Sequence, residues 1–236
     1  MLEVADLVKR YKAGDEVVHA VDGVSLRIEP GEMVALYGPS GSGKSTLIDL
    51  IAGFQAPDSG TIVVDGRDTR AFSEAEHADY LRLTVGIIGQ PQDLMPSATA
   101  RENACMKLLR DHPKEAPRLI EPLLLALGLG DRLDQPARTL SMGERQRVMI
   151  AQALSTGPKL VLADEPTGSL DTRRSRDVLG LIRQLCHERD TAVLLVTHDP
   201  QAVAFADRAH ELRDGHLHHY EPEELYLRAA GESISP

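Results

Sequence analysis

Gly38-Pro39-Ser40-Gly41-Ser42-Gly43-Lys44-Ser45-Thr46 lies between an apolar run, Met33-Val34-Ala35-Leu36-Tyr37, and a helix-like run, Leu47-Ile48-Asp49-Leu50-Ile51-Ala52. A strand, a glycine loop, Lys-Ser and a helix, in that order, form the pattern of a phosphate-binding loop. Glycines let the backbone close around phosphate oxygens where a Cβ would collide. The free N–H groups of the following helical turn point at the anion, and the helix dipole favours negative charge there. Lys44 is placed to meet β- and γ-phosphates, and Ser45 to offer its hydroxyl to Mg²⁺. Taken alone the pattern also fits a Gly/Ser-rich surface turn, so its reading depends on the rest of the chain.

The chain has 236 residues, enough for one large α/β domain with an inserted subdomain. A hydrophobic fraction of 42% places it among globular chains and away from disordered ones. No apolar run approaches the roughly 20 residues that a membrane helix needs. The start, Met1-Leu2-Glu3-Val4-Ala5-Asp6, has no basic region followed by an apolar one, so no secretory signal is expected. Cys105 and Cys186 each sit in an apolar helix-like run and read as buried, reduced thiols. Formal net charge is −10, from 26 basic and 36 acidic residues. That balance argues against a nucleic-acid partner, which needs a basic face. It leaves docking onto a membrane protein open.

Leu2 to Val8 and Val24 to Ile28 alternate and read as edge strands, with a polar turn from Lys12 to Glu16 between them. Thr61 to Val64 followed by Asp65-Gly66 signals a hairpin. Val85 to Ile88 reads as a short buried strand. From about residue 94 to about residue 156 the period becomes helical, with Leu119, Ile120, Leu123, Leu124 and Leu127 expected on one apolar stripe. Lys159 to Ala163 and Ala192 to Val196 are continuous apolar strands, as central parallel strands are. Thr172 to His187 between them is a helix. The expected organisation is one domain over 1–236. Residues 1–93 and 157–220 form a catalytic core with a β subdomain, 94–156 a helical subdomain, and 221–236 a peripheral tail.

Further candidates follow from strand ends. Asp164-Glu165 closes the strand through Ala163, and ligands in open α/β sheets sit at such carboxyl ends. Asp164 is then placed to hold Mg²⁺ and Glu165 to orient or deprotonate a water. His198 follows the strand through Val196 and can reach the same edge. Leu140-Ser141-Met142-Gly143-Glu144 reads as a helix start with a capping box between Ser141 and Glu144. The same helix start could bind a phosphate, and both readings draw on the Ser141 hydroxyl. Arg145 and Arg147 read as a solvated helix face or as partners of acidic neighbours. The helix start Thr172 to Arg176 reads as surface. His216, His218 and His219 lack a well-spaced carboxylate or cysteine partner for a metal.

In this order the motifs resemble those of the nucleotide-binding subunit of ABC transporters, over about residues 2–220. Gly38, Pro39, Ser40, Gly41, Ser42, Gly43, Lys44, Ser45 and Thr46 are similar to the Walker A, and Leu160 to Glu165 to the Walker B with its catalytic glutamate. Ser141, Gly143 and Glu144 stand in the signature, Ser169, Leu170 and Asp171 in the D-loop, His198 at the switch histidine and Gln90 in the Q-loop. Tyr11 stands where the family places an aromatic that stacks on adenine. The stretches Gln90 to Pro96, Thr99 to Asn103 and Asp164 to Asp171 resemble the subgroup of lipoprotein-release, macrolide-export and cell-division ATPases.

The resemblance implies an α/β P-loop NTPase with a RecA-like core, an N-terminal antiparallel β subdomain and an inserted α-helical subdomain. It implies ATP and Mg²⁺, with Gln90 as a further metal and catalytic residue. It also implies a permease partner, a second copy of the chain paired head to tail, and a place on the inner face of the cell membrane. ATP would be hydrolysed between the Walker A of one copy and the signature of the other, to power export or extraction. A regulatory clamp on a permease, or an ABC ATPase outside transport, is the alternative. The signature departs from the family's Leu-Ser-Gly-Gly by carrying Met142, and Gly89 stands where the family often has an aromatic.

Overall fold

The computed structural model describes residues 1–14, 16–89, 91–168 and 170–229. Elements run in chain order as β1 (Leu2–Ala13), β2 (Glu16–Ile28), β3 (Met33–Tyr37), α1 (Lys44–Ala52), β4 (Ser59–Val64), β5 (Arg67–Asp68) and α2 (Glu74–Asp79). They continue as β6 (Val85–Ile88), α3 (Ala100–Cys105), α4 (Ala116–Ala126), α5 (Met142–Leu154), β7 (Leu160–Asp164) and α6 (Thr172–Glu188). The last are β8 (Ala192–Thr197), α7 (Pro200–Val203), β9 (Arg208–Arg213), β10 (His216–Tyr220) and α8 (Pro222–Ala229).

Two sheets result. A four-stranded antiparallel sheet has the order β2-β1-β4-β5, and a six-stranded sheet the order β10-β9-β3-β8-β7-β6. In the second sheet all neighbours are parallel except β10, which returns antiparallel along β9. The continuous apolar strands are explained by where their alternate residues go. Val34, Leu36, Leu160, Leu162, Leu194 and Val196 pack with α1 and the four-stranded sheet. Met33, Ala35, Val161, Ala163, Val193 and Leu195 pack with α3 to α6. Both faces of β3, β7 and β8 are therefore core, which requires apolar side chains at every position.

The α/β architecture with an antiparallel β sheet and helices grouped along residues 100–154 agrees with the fold class expected from the sequence. Several local expectations need correction. β1 is an inner strand between β2 and β4, so of these two strands β2 alone is an edge. Both strands run well past their apolar stretches, to Ala13 paired with Glu16. Their far arms carry Tyr11, Lys12, Val17 and Val18, which stay exposed and so give no alternating signal. Leu119 is 50% exposed and lies off the buried stripe of α4, which Ile120, Leu123 and Leu124 form.

The strands β9 and β10 give little apolar signal, because β9 buries His210 and Glu211 and β10 is largely polar. The tail begins with an ordered helix, α8, anchored by buried Leu225; residues 230–236 lie outside the described ones. Asp65 and Gly66, both at positive φ, make the expected tight hairpin between β4 and β5. Cys105 and Cys186 are buried free thiols, as expected. Among the described residues no helix is long and apolar enough to cross a membrane.

Candidate functional site

Parallel order brings three strand ends to one edge. Tyr37, the last residue of β3, pairs with Thr197 of β8, and Asp164 of β7 pairs with Val196. The chain leaves β3 into the Gly38–Gly43 loop and enters α1 at Lys44. Gly43 caps α1 at φ 103°, and a Cβ there would meet the Ala20 carbonyl oxygen at 1.9 Å. No side chain can occupy that position, so β2 backbone and phosphate loop touch only because residue 43 is glycine.

The Lys44 ammonium donates to the Gly38 and Pro39 carbonyls at 2.7 and 2.8 Å. Burial holds its pKa below the ordinary lysine value, against the opposing pull of Glu165 and Asp164. Burial likewise raises the Asp164 carboxyl, helped by Glu165 and Asp49 and opposed by Lys44. The Ser42 hydroxyl oxygen is buried in the loop with no hydrogen-bond partner among the described residues.

Glu165 leaves the strand with φ 48°, a left-handed conformation costly for a residue with a Cβ. Its amide still donates to the Val196 carbonyl at 3.0 Å, and its own carbonyl accepts from Gly168 at 3.1 Å. The turn brings its carboxylate Oε1 to 2.6 Å from His198 Nδ1 and Oε2 to 3.4 Å from the Thr197 hydroxyl. With Glu165 ionised, the carboxylate can only accept, so Nδ1 carries the proton of this contact.

Tyr11, Ser40, Gly41, Gly43, Lys44, Ser45, Thr46, Asp164, Glu165 and His198 line one cavity of about 470 Å³. Gly38, Pro39 and Ser42 complete the loop behind it. Ala20 also lines the cavity, and Val18 lies opposite Tyr11 across the strand pair. Neither carried a sequence signal, because one acts through its backbone and the other sits on a hairpin arm without alternation. Gln90 and Ser169 lie outside the described residues.

The signature residues are elsewhere. Ser141 caps α5, accepting from the Glu144 amide at 3.3 Å, while Glu144 Oε2 accepts from the Ser141 amide at 2.8 Å. Glu144 Oε1 accepts from Arg132 Nε at 2.7 Å, so both carboxylate oxygens are engaged. Burial pushes this carboxyl up, but the Ser141 and Arg132 hydrogen bonds outweigh it and hold it at about 2. The expected capping box is present.

Ser141, Gly143 and Glu144 line a separate cavity of about 120 Å³ with Arg147, Arg174 and Asp177. A Cβ on Gly143 would meet Arg174 and Leu170 only at 3.8 and 3.9 Å. Leu170 thus lies beside the start of α5, and Asp171 caps α6 by accepting from the Arg174 amide at 3.0 Å. Arg145 and Arg147 correct an expectation. They are half-buried with no acidic partner among the described residues, and their Nε atoms are buried without hydrogen bonds.

Residues 21–168 match the family described as ABC transporter. The chain belongs to that family. It is 41% identical over 219 residues to the lipoprotein-releasing system ATP-binding protein LolD of Pseudomonas fluorescens, covering 92% of this chain and 96% of that protein. It is 40% identical over 234 residues to the macrolide export ATP-binding/permease protein MacB of Salmonella choleraesuis, covering 98% of this chain but 36% of MacB. Among solved structures, a dimeric post-hydrolysis state of the ATP-binding cassette MJ0796 bound to ADP and Pi superposes with a TM-score of 0.85 at 31% identity, covering 94% of this chain and 99% of that one. The chain is accordingly an ABC-type ATPase.

Proposed function

We propose that this ABC ATPase works as a head-to-tail pair on an integral-membrane permease, at the inner face of the membrane, powering export or extraction of a substrate. The observation that carries this reading is the division of the motifs. Walker A, Asp164, Glu165 and His198 share one cavity, while the Ser141–Glu144 helix start opens on another. A glycine inside a helix costs about 1 kcal/mol relative to alanine. Among the described residues nothing crowds Gly143, so its absent side chain makes room for something that approaches from outside. A second copy's ATP, held in its own P-loop, supplies that approach. The names of LolD and MacB, a lipoprotein-releasing system and a macrolide export ATP-binding/permease protein, support the transport assignment.

Within the nucleotide site, Lys44 is the point charge for the terminal phosphates, and the loop amides with the unpartnered Ser42 hydroxyl suit an anion. Ser45 and Asp164 offer oxygen donors of the kind Mg²⁺ takes, with Gln90 as a third. When bound, that ion neutralises phosphate charge. Glu165 holds the attacking water as general base, and His198 and Thr197 fix its carboxylate. The signature and D-loop residues Ser141, Gly143 and Asp171 serve the partner's site.

Glu165→Gln tests both halves of this reading. Turnover falls by about 10²–10⁴-fold, the worth of a positioned general base, while ATP still binds. Sedimentation of this variant with Mg-ATP shows a dimer that dissociates without nucleotide. Unaltered turnover removes Glu165 from its role, and a persistent monomer with ATP bound removes the shared site.

A further inference from the structure

The segment after α1, Gly53 to Gly60, belongs to no nucleotide motif, yet it is stitched to the far arm of β1. Lys9 Nζ donates to the Ala56 carbonyl at 2.8 Å, the Arg10 amide to Asp58 Oδ2 at 2.7 Å, and the Asp58 amide to the Val8 carbonyl at 2.8 Å. The fourth stitch is made by a side chain on the cavity rim. The Tyr11 hydroxyl donates to Gln55 Oε1 at 2.5 Å. Gln55 Nε2 in turn donates to Asp49 Oδ2 at 3.0 Å, and the Gln55 amide reaches the Asp49 carbonyl at 3.3 Å.

This chain has a direction. Asp49 lies on α1, the helix that Lys44 opens, so its position is fixed by the phosphate loop itself. A carboxylate accepts and does not donate, so Asp49 selects the NH₂ end of the Gln55 amide. The oxygen end is thereby turned to Tyr11, which can donate to it. Tyr11 is 36% exposed, with the Lys9 ammonium 5.7 Å from its ring centroid. Rotation of an exposed tyrosine about its first side-chain bond sweeps the ring away from where it started. The hydroxyl contact is the directional restraint on that rotation.

We propose that Gln55 is a positioning residue for the nucleotide base: the Asp49–Gln55–Tyr11 chain holds the tyrosine ring in register with the phosphate loop, in the pose that stacks on adenine. This rests on the reading of Tyr11 as the base-stacking residue. Gln55 is not among the residues that line the cavity and reaches it through Tyr11.

The test is calorimetric titration of the full chain with Mg-ATP and, separately, with Mg-tripolyphosphate, which has no base. Tyr11→Ala weakens ATP about ten- to hundredfold, the usual worth of base–aromatic stacking. Tyr11→Phe keeps the ring and loses the hydroxyl. It and Gln55→Ala each weaken ATP about two- to tenfold, the usual worth of one hydrogen bond. The double variant is no weaker than either single one, and tripolyphosphate affinity is unchanged throughout. Wild-type ATP affinity in Gln55→Ala alongside a weakened Tyr11→Ala overturns the positioning role and spares the stacking one. Additive losses, or equal losses of tripolyphosphate, overturn it as well, since Gln55 would then only fasten the loop. Wild-type affinity in Tyr11→Ala removes the stacking reading and the proposal together.

Discussion

At the start of α1, Lys44 donates to two loop carbonyls, and Asp164 and Glu165 answer its charge from the end of β7, with β8 between that strand and β3. At the start of α5, Ser141 and Glu144 close a capping box with Arg132 behind it, and the open side of Gly143 meets Arg174 and Leu170 only at van der Waals distance. Both are helix N-termini with serine, glycine and charge. One gathers polar groups of its own chain, from the ends of β3, β7 and β8, around a cavity. The other satisfies its own helix and leaves a glycine with room and two arginine Nε atoms unpartnered. The difference teaches how the two helix starts are used: one is surrounded by polar groups of its own chain, and the other is closed on itself with space left at Gly143, the feature on which the proposed shared site rests.

The sharpest way to break this comparison is a pair of substitutions. Lys44→Ala abolishes ATP binding to the isolated chain. Gly143→Asp leaves that binding unchanged but lowers turnover by about 10²–10³-fold, as expected for spoiling one preorganised electrostatic contact to the reacting phosphate. Parallel binding and turnover assays separate the two. Loss of ATP binding in Gly143→Asp would place the signature inside the chain's own site.

A smaller effect tests the self-sufficiency of α5. Glu144 titrates at about 2 in the folded chain against an ordinary 4.5. The depressed value means that its ionised form is favoured on folding. The stabilisation is therefore fully present above pH 4.5 and is lost as pH falls from there towards 2. Glu144→Gln lowers stability at pH 7 by about 2–3 kcal/mol, and the gap from wild type closes as acid is added. Denaturant melts at several pH values check this. A gap independent of pH would assign the loss to packing.

The smallest effect concerns Met142, the first residue of α5. Met142→Gly costs about 1 kcal/mol of stability in the isolated chain. If the bulk of Met142 stands between the two copies, the same variant reaches half-maximal turnover at a lower chain concentration. An unchanged concentration dependence would place Met142 off the shared surface.

What the sequence made legible is unevenly distributed, for physical reasons. The Gly38–Thr46 loop and the Asp164-Glu165 pair could be read because buried parallel strands must be apolar throughout and chemistry starts where they end. His198 followed from the same rule. Beyond such runs the signal fades. The β1 and β2 arms and the β9–β10 hairpin satisfy backbone groups by pairing, which constrains side chains little; β9 even buries His210, which burial pushes down to about 4. Leu119 was misplaced because the stripe of α4 is narrower than its leucine content. Gln55 could not be found at all. Its meaning lies in a hydrogen bond to a residue forty-odd positions away, set by the segment after α1 lying against the arm of β1.

The two hydrogen bonds of Lys44 bear on what the loop exchanges them for. An ammonium shared by two carbonyl dipoles makes stronger hydrogen bonds to an ionised acceptor than to a neutral one. An anion is therefore the acceptor for which replacing those carbonyls costs least.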